Sequence, residues 1–286
     1  MKKNITLLDG AVGTSLWEIA ERNGVEKVPV WRYNIEHPEF VTELLQTYID
    51  AGSQIILPNT FGANGPIVKR TAPQYTTPQV VTAGVKLAKA AAEGTGVKVA
   101  VSAGPLSQLM EPWGDLEEEE VEDIYAEMLG AGVEAGADLV MLQTFIDLGM
   151  MEVATRVAKK LGVPVMSTMT FEKVGKTMFG NSVEQVIDTL GALDVDAIGM
   201  NCSLGPDLAL PVIREFAEKT KIPLVFKPNA GLPITSADGK TVTDYDADTF
   251  VREVEPALEF VDYIGGCCGC NPEYIRKLKA RIDELR

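Results

Sequence analysis

One alternation runs through this 286-residue chain and constrains its fold more than any other feature. A short β-branched or apolar run leads into a turn rich in Gly, Pro or Asn and then an amphipathic helical stretch, eight times over. The strand candidates are Thr6–Leu8, Gln54–Leu57, Lys98–Ser102, Leu139–Gln143, Val163–Met169, Ala197–Met200, Leu224–Lys227 and Tyr263–Gly265. Each is short and carries few charges, as a strand buried on both faces must. Helices are expected at Glu39–Ala51, Pro78–Glu93, Glu120–Ala135, Gly149–Leu161, Ser182–Leu193, Asp207–Thr220, Ala247–Glu259 and Pro272–Leu285. In Glu120–Ala135, Val121, Ile124, Tyr125, Met128, Leu129 and Val133 fall at helical steps and form one apolar stripe. The acidic run Glu117–Glu120 suits the positive end of that helix dipole. Asn271-Pro272 gives the last helix a cap and a first-turn proline.

Alternation of this count fits a closed parallel barrel, which takes about 250 residues. With 46% hydrophobic and 23% charged residues, a large core is available. The expected fold is α/β, a single (βα)8 TIM barrel over residues 1–286, with no linker or second domain. An open doubly wound sheet is the alternative, but no Gly-x-Gly-x-x-Gly follows the first strand to support its dinucleotide-binding form.

A net charge of −15 argues against nucleic acid and anionic membrane as partners, since both would be repelled. The N-terminal MKKNITLLDG is too short an apolar run for a signal peptide, and no stretch approaches the roughly 20 apolar residues that span a bilayer. A cytoplasmic location is expected. Thiols stay reduced there, so four cysteines point to a metal site or catalysis more than to disulfides.

The unusual residues follow strands, where a barrel gathers them at one mouth. They are Asp9, Asn59, Gln143, Asn201-Cys202, Lys227-Pro-Asn229 and Gly265-Gly-Cys-Cys-Gly-Cys270. The longest irregular stretches, Asn59–Thr77, Gly104–Gly114 and Asn229–Tyr245, lie on the same side. Adjacent residues in a regular strand point to opposite faces, so Cys267 and Cys268 share a metal only if the strand geometry breaks, which the flanking glycines allow. With Cys202 they offer three thiolates and leave a fourth position open, the arrangement of a catalytic zinc site. Buried reduced cysteines are the competing explanation, and the better one for Cys202 alone. Residue chemistry leaves the two readings level. The single histidine, His37, is expected to cap a helix at the surface, which leaves none for a metal or a triad.

Five segments, Asp9-Gly-Ala-Val-Gly-Thr14, Asn59-Thr-Phe-Gly-Ala63, Asn201-Cys-Ser-Leu-Gly-Pro206, Pro228-Asn-Ala-Gly231 and Gly265-Gly-Cys-Cys-Gly269, give the chain a strong likeness. It resembles the homocysteine S-methyltransferase family, and within it the homocysteine-binding zinc domain of cobalamin-dependent methionine synthases. The resemblance covers essentially the whole chain in order. It implies zinc on Cys202, Cys267 and Cys268, with Asn229 completing the shell until a thiol displaces it. It implies a substrate site drawing on Asp9, Gly10, Ala11, Thr14, Asn59, Gln143 and Asn201, the Asp9–Thr14 turn cradling the amino-acid end of homocysteine. The second segment is nearer the cobalamin-dependent branch than the betaine-dependent one, which implies methylcobalamin carried on a separate corrinoid protein as donor.

Two positions depart from the family. Gln143 stands where the family usually has a glutamate that pairs with the substrate ammonium, and Cys270 where threonine is common. The expected function is zinc-dependent methyl transfer to homocysteine or a related thiol. Gln143 keeps open a corrinoid-linked methyltransferase or demethylase acting on another thiol or a methylated substrate. A non-catalytic zinc or cobalamin-delivery partner is the third reading, which the open metal position disfavours.

Overall fold

The computed structural model describes residues 4–235 and 241–286. Eight parallel strands form one sheet: β1 (Thr6–Leu7), β2 (Ile55–Ile56), β3 (Lys98–Ala103), β4 (Leu139–Phe145), β5 (Val165–Met169), β6 (Ala197–Asn201), β7 (Leu224–Lys227) and, after an inserted hairpin of β8 (Pro233–Thr235) and β9 (Thr241–Thr243), β10 (Tyr263–Ile264). The pairing order is β1-β10-β7-β6-β5-β4-β3-β2. A parallel bridge between Leu8 and Ile55 brings the two ends together, supported by Gln54 N–H donating to Leu7 O at 2.7 Å. The (βα)8 barrel expected from the alternation is what the chain forms. Lys2, Lys3 and residues 236–240, inside the stretch expected to be irregular, lie outside the described residues.

Two apolar cores hold the barrel. Leu8, Ile55, Leu57, Ala100, Leu139, Met141, Met166, Ala197 and Val225 fill its interior, and a larger layer joins the outer strand faces to the helices. Side chains alternate along a strand. Ala100 points inward, so Ser102 does too. The same step of two carries Leu139 and Met141 to Gln143, Met166 to Thr168, and Val225 to Lys227. This parity places the polar groups Ser102, Gln143, Thr168 and Lys227 as the topmost inward layer, at the C-terminal mouth where barrels build their sites.

The structure corrects four details. Gly13–Arg22 and Gly65–Thr71 are helices that the alternation did not separate from their loops. The stretch Ala247–Glu259 is α-helical only to Val254 and continues as a 3-10 helix over Glu255–Glu259. Pro256 explains the change, because it lacks the N–H that would bond Arg252 O and its ring crowds that carbonyl. β4 runs on to Phe145 through an irregularity after Leu142, so Gln143 lies within the strand. His37 occupies an N-cap position without a capping bond; its ring stacks on Phe40, and Nδ1 lies 3.0 Å from Glu39 Oε1. Asn271 does cap its helix, accepting from Glu273 N–H at 2.9 Å.

Candidate metal centre

β6 and β10 end side by side with β7 between them, which brings Cys202, Cys267 and Cys268 to one point of the rim. Their sulfurs all lie within 4.8 Å of one another, and those of Cys202 and Cys268 are 3.6 Å apart. Tetrahedral zinc with bonds of about 2.3 Å needs its sulfurs about 3.8 Å apart, so the spacing suits that ion.

The local backbone accounts for this convergence. Cys202 and Ser203 both adopt the left-handed conformation, at φ 62° and 58°. Two such non-glycine residues in succession are strained, a condition that collects at functional sites. The turn is held by Cys202 N–H on Lys227 O at 3.0 Å and by Ser203 Oγ–H on Phe171 O at 2.8 Å. β10 stops at Ile264, so the vicinal cysteines sit in a turn and not in a strand. The glycines act differently from expectation. Gly266 is needed for closeness, since a Cβ there would meet Cys270 Cβ at 2.2 Å, whereas only Gly269, at φ 82°, uses glycine's left-handed freedom. Two bonds knit this turn to the next loop: Cys267 N–H to Pro228 O at 2.8 Å, and Ala230 N–H to Cys268 O at 2.9 Å.

Without a cation these sulfurs resist ionisation. A hydrogen bond from Cys267 favours the Cys202 thiolate, but donation to Cys268, burial and the neighbouring sulfur charge outweigh it, and the thiol is pushed up to about 11. Cys267 is pushed up to about 12 by its donation to Cys202 and by burial, against a bond from Cys268. Cys268 also reaches about 12, where the bond from Cys202 is outweighed by donation to Cys267, by that sulfur's charge and by burial. Three thiolates in so small a space need a positive ion, which is the electrostatic case for a metal.

The side-chain Oδ1 of Asn229, next to Pro228 and Ala230, is buried without a hydrogen-bond partner among the described residues, an orphan that calls for a ligand. Cys270 is placed apart: it is buried, its Sγ–H points at Pro228 O at 3.7 Å, and it does not belong to the three-sulfur group.

Beside the sulfurs opens a cavity of about 430 Å³. Asp9, Gly10, Ala11, Thr14, Asn59 and Gln143 line it, as do Cys202, Cys267 and Cys268. The first turn is tied to the cysteine turn by Ala11 N–H on Cys270 O at 2.8 Å and Gly266 N–H on Asp9 O at 3.1 Å. Asn59 Nδ2 donates to Val30 O at 2.6 Å and Asn34 Oδ1 at 3.1 Å, so its amide hydrogens organise the loop. Gln143 Nε2 donates to Ser102 Oγ at 2.9 Å.

Asn201 is not among the lining residues. It lies fully buried beneath them, its Oδ1 accepting from Thr144 N–H and Thr168 Oγ1–H, both at 2.7 Å. Its Nδ2 donates to Thr144 Oγ1 at 2.7 Å and to Cys267 Sγ at 3.7 Å. The side chain thus orients a sulfur from behind. Asn201→Ala is expected to weaken the hold of these sulfurs on an added metal ion about 10- to 100-fold, as loss of a ligand's supporting bond does; zinc titration in competition with a chromogenic chelator measures it.

Lys227, expected at the mouth but given no role from the sequence, proves to be part of the site. Its Nζ lies 2.7 Å from Asp9 Oδ1, both side chains no more than 3% exposed, while Asp9 Oδ2 accepts from Leu57 N–H at 2.6 Å. Burial pushes the Asp9 carboxyl up, against the pull of the Lys227 ammonium. A lysine closing an otherwise apolar buried strand was the available signal.

The structure is similar to the homocysteine methyltransferase MmuM from Escherichia coli in its metallated form, at TM-score 0.80 and 24% identity, covering 98% of this chain and 97% of that one. The oxidized form of the same protein matches equally, with the same coverage. In sequence the chain is 26% identical over its full length to a methionine synthase of Mycobacterium tuberculosis and 27% identical over 99% of its length to that of Mycobacterium leprae. It spans about a quarter of the length of those relatives, 25% and 24%. The sequence profile of homocysteine S-methyltransferases matches residues 6–282, and the chain belongs to that family.

Proposed function

We propose that this protein is a zinc-dependent methyltransferase that activates a thiol on Cys202, Cys267 and Cys268 and passes to it the methyl group of a methyl-corrinoid or other methyl donor. The observation that carries the reading is the convergence of three sulfurs at the edge of an apolar-walled cavity. Family membership supports methyl transfer to a thiol. The donor set fits zinc: Cys202, Cys267 and Cys268 would hold the ion and leave a position for a thiol, one that Asn229 would occupy at rest, as the resemblance to the family implies. A bound zinc would supply a Lewis acid that holds the substrate sulfur as thiolate near neutral pH.

The chain's own residues do the rest. Asn201 fixes Cys267, the Asp9–Thr14 turn and Asn59 shape the substrate side, and the walls exclude water so that the sulfur meets the methyl carbon directly. The S–C bond forms as the donor–carbon bond breaks, and the thiol proton has already left. Outside the cavity, on loops after β3 and β5, Trp113 is 60% exposed, Val174 77% and Met178 64%. Apolar side chains exposed on this rim suit coverage by a protein donor.

Two measurements check this. Stripping the metal with a chelator should abolish turnover, and one equivalent of zinc should restore it; full turnover by metal-free protein would refute the proposal. Zinc affinity should also climb steeply with pH. Their contacts with one another and burial push the three metal-free thiols up, to about 11, 12 and 12, so they are protonated at neutral pH and metal must expel their protons. The apparent association constant should rise by up to about three decades per pH unit across pH 6.5 to 8.5, read by calorimetry in buffers of different ionisation enthalpy.

A further inference from the structure

Homocysteine bears an ammonium group, and among the described residues the cavity offers it no uncommitted anionic partner. Among the described residues that line it, Asp9 is the sole carboxylate and Lys227 the sole ammonium. These two neutralise each other at 2.7 Å, and the second carboxylate oxygen is taken by Leu57 N–H. At the inward position two residues beyond Met141, Gln143 presents a neutral amide whose Nε2 donates to Ser102 Oγ and which carries no charge to pair with an ammonium. A substrate ammonium would have to displace Lys227 from a buried ion pair or settle beside neutral groups, although charge-assisted bonds are about twice as strong as neutral ones. Much of the remaining wall is apolar, formed by Trp17, Val30, Trp31, Phe61 and Ile67, and its other polar side chains, such as Thr14, Asn59 and Thr144, are neutral.

From this charge inventory, and resting on the thiol-activating reading above, we infer that the site takes a thiol that has no ammonium group and presents an apolar body to the walls. Lys227 and Gln143 are then specificity-determining residues. Lys227 silences the cavity's one acidic group, and Gln143 withholds a second.

The test is equilibrium binding to the zinc-loaded protein, followed by the fluorescence of Trp17 and Trp31 in the cavity wall. Homocysteine and 4-mercaptobutanoate differ only in the ammonium. The mercaptobutanoate should bind at least about tenfold more tightly. Gln143→Glu should tighten homocysteine about tenfold or more while leaving 4-mercaptobutanoate unimproved. Homocysteine binding as tightly as its deamino analogue in the unmodified protein would overturn the inference, as would a Gln143→Glu variant that tightens neither. 4-Hydroxybutanoate separates the two layers. If it binds as well as 4-mercaptobutanoate, sulfur is not recognised and the thiol reading itself fails, whatever the ammonium comparison gives.

Discussion

Replacing Cys202 by alanine is expected to cost the protein its metal and its methyl transfer together. Cys202 is one of three sulfurs within 4.8 Å and comes from a different strand than the other two. Its loss leaves the vicinal pair and one amide, too few charged ligands to hold zinc against water. Removing a supporting second-layer bond already costs 10- to 100-fold in affinity; deleting a thiolate ligand should exceed that, with a fall of roughly 1,000-fold or more. Fold should survive, because the side chain is only partly buried and lies outside both apolar cores. Circular dichroism that matches the parent, with zinc content near zero and turnover at background, is the expected result. Cys270→Ser provides the contrast. Its sulfur lies outside the group and on Pro228 O, so metal content should be unchanged.

The second large effect is on stability. Lys227→Met removes one partner of a buried ion pair and strands the Asp9 carboxylate in a site without solvent. Breaking such a pair from one side costs about 3–5 kcal/mol, most of it the penalty of an uncompensated charge. At roughly 2–4 °C per kcal/mol for a chain somewhat shorter than this, Tm should drop by about 5–15 °C. The sign with pH follows from the same pair. Burial already raises the Asp9 carboxyl, and losing the ammonium removes the main opposing influence, so its folded pKa climbs further above the unfolded value. The folded state then binds the proton more tightly, and the variant should lose stability as pH rises from the unfolded carboxylate value through the raised folded one. Adding Asp9→Asn should recover much of the loss, since the double variant leaves no unpaired charge. Thermal melts of the parent, single and double variants across pH 4 to 8 give the answer.

How much of this was legible in the sequence depends on the length scale of the physics. Strand positions were readable because a parallel strand covered on both faces has to be a short apolar run, and Leu139–Met141 or Leu224–Phe226 can be little else. The helix at Gly65–Thr71 had the same signal that marked the last one, an asparagine cap before a first-turn proline: Asn64 accepts from Ile67 N–H at 3.2 Å. It was masked by a glycine-rich surrounding. Leu16, Ile19 and Ala20 likewise fell at helical spacing, directly behind a turn whose motif drew attention first.

The cysteine set was legible as chemistry but not as geometry. Nothing about Cys202-Ser203 signals a left-handed turn, because neither residue favours it; the surrounding bonds impose it. The Lys227–Asp9 pair spans 218 positions, and no local pattern announces such a contact. Its place after strand seven put Lys227 at the mouth, and parity with Val225, two residues earlier in the barrel interior, turns its side chain inward. What these could not supply was the partner.

The central claim is that three cysteine sulfurs share one metal and leave a single exchangeable position. X-ray absorption at the zinc edge of the purified protein tests it most directly. Three sulfurs at about 2.3 Å and one lighter oxygen or nitrogen neighbour are predicted for the resting protein, changing to four sulfurs when an excess of 4-mercaptobutanoate is added. A four-sulfur shell before any thiol is present, or a three-sulfur shell that no thiol alters, would contradict the account.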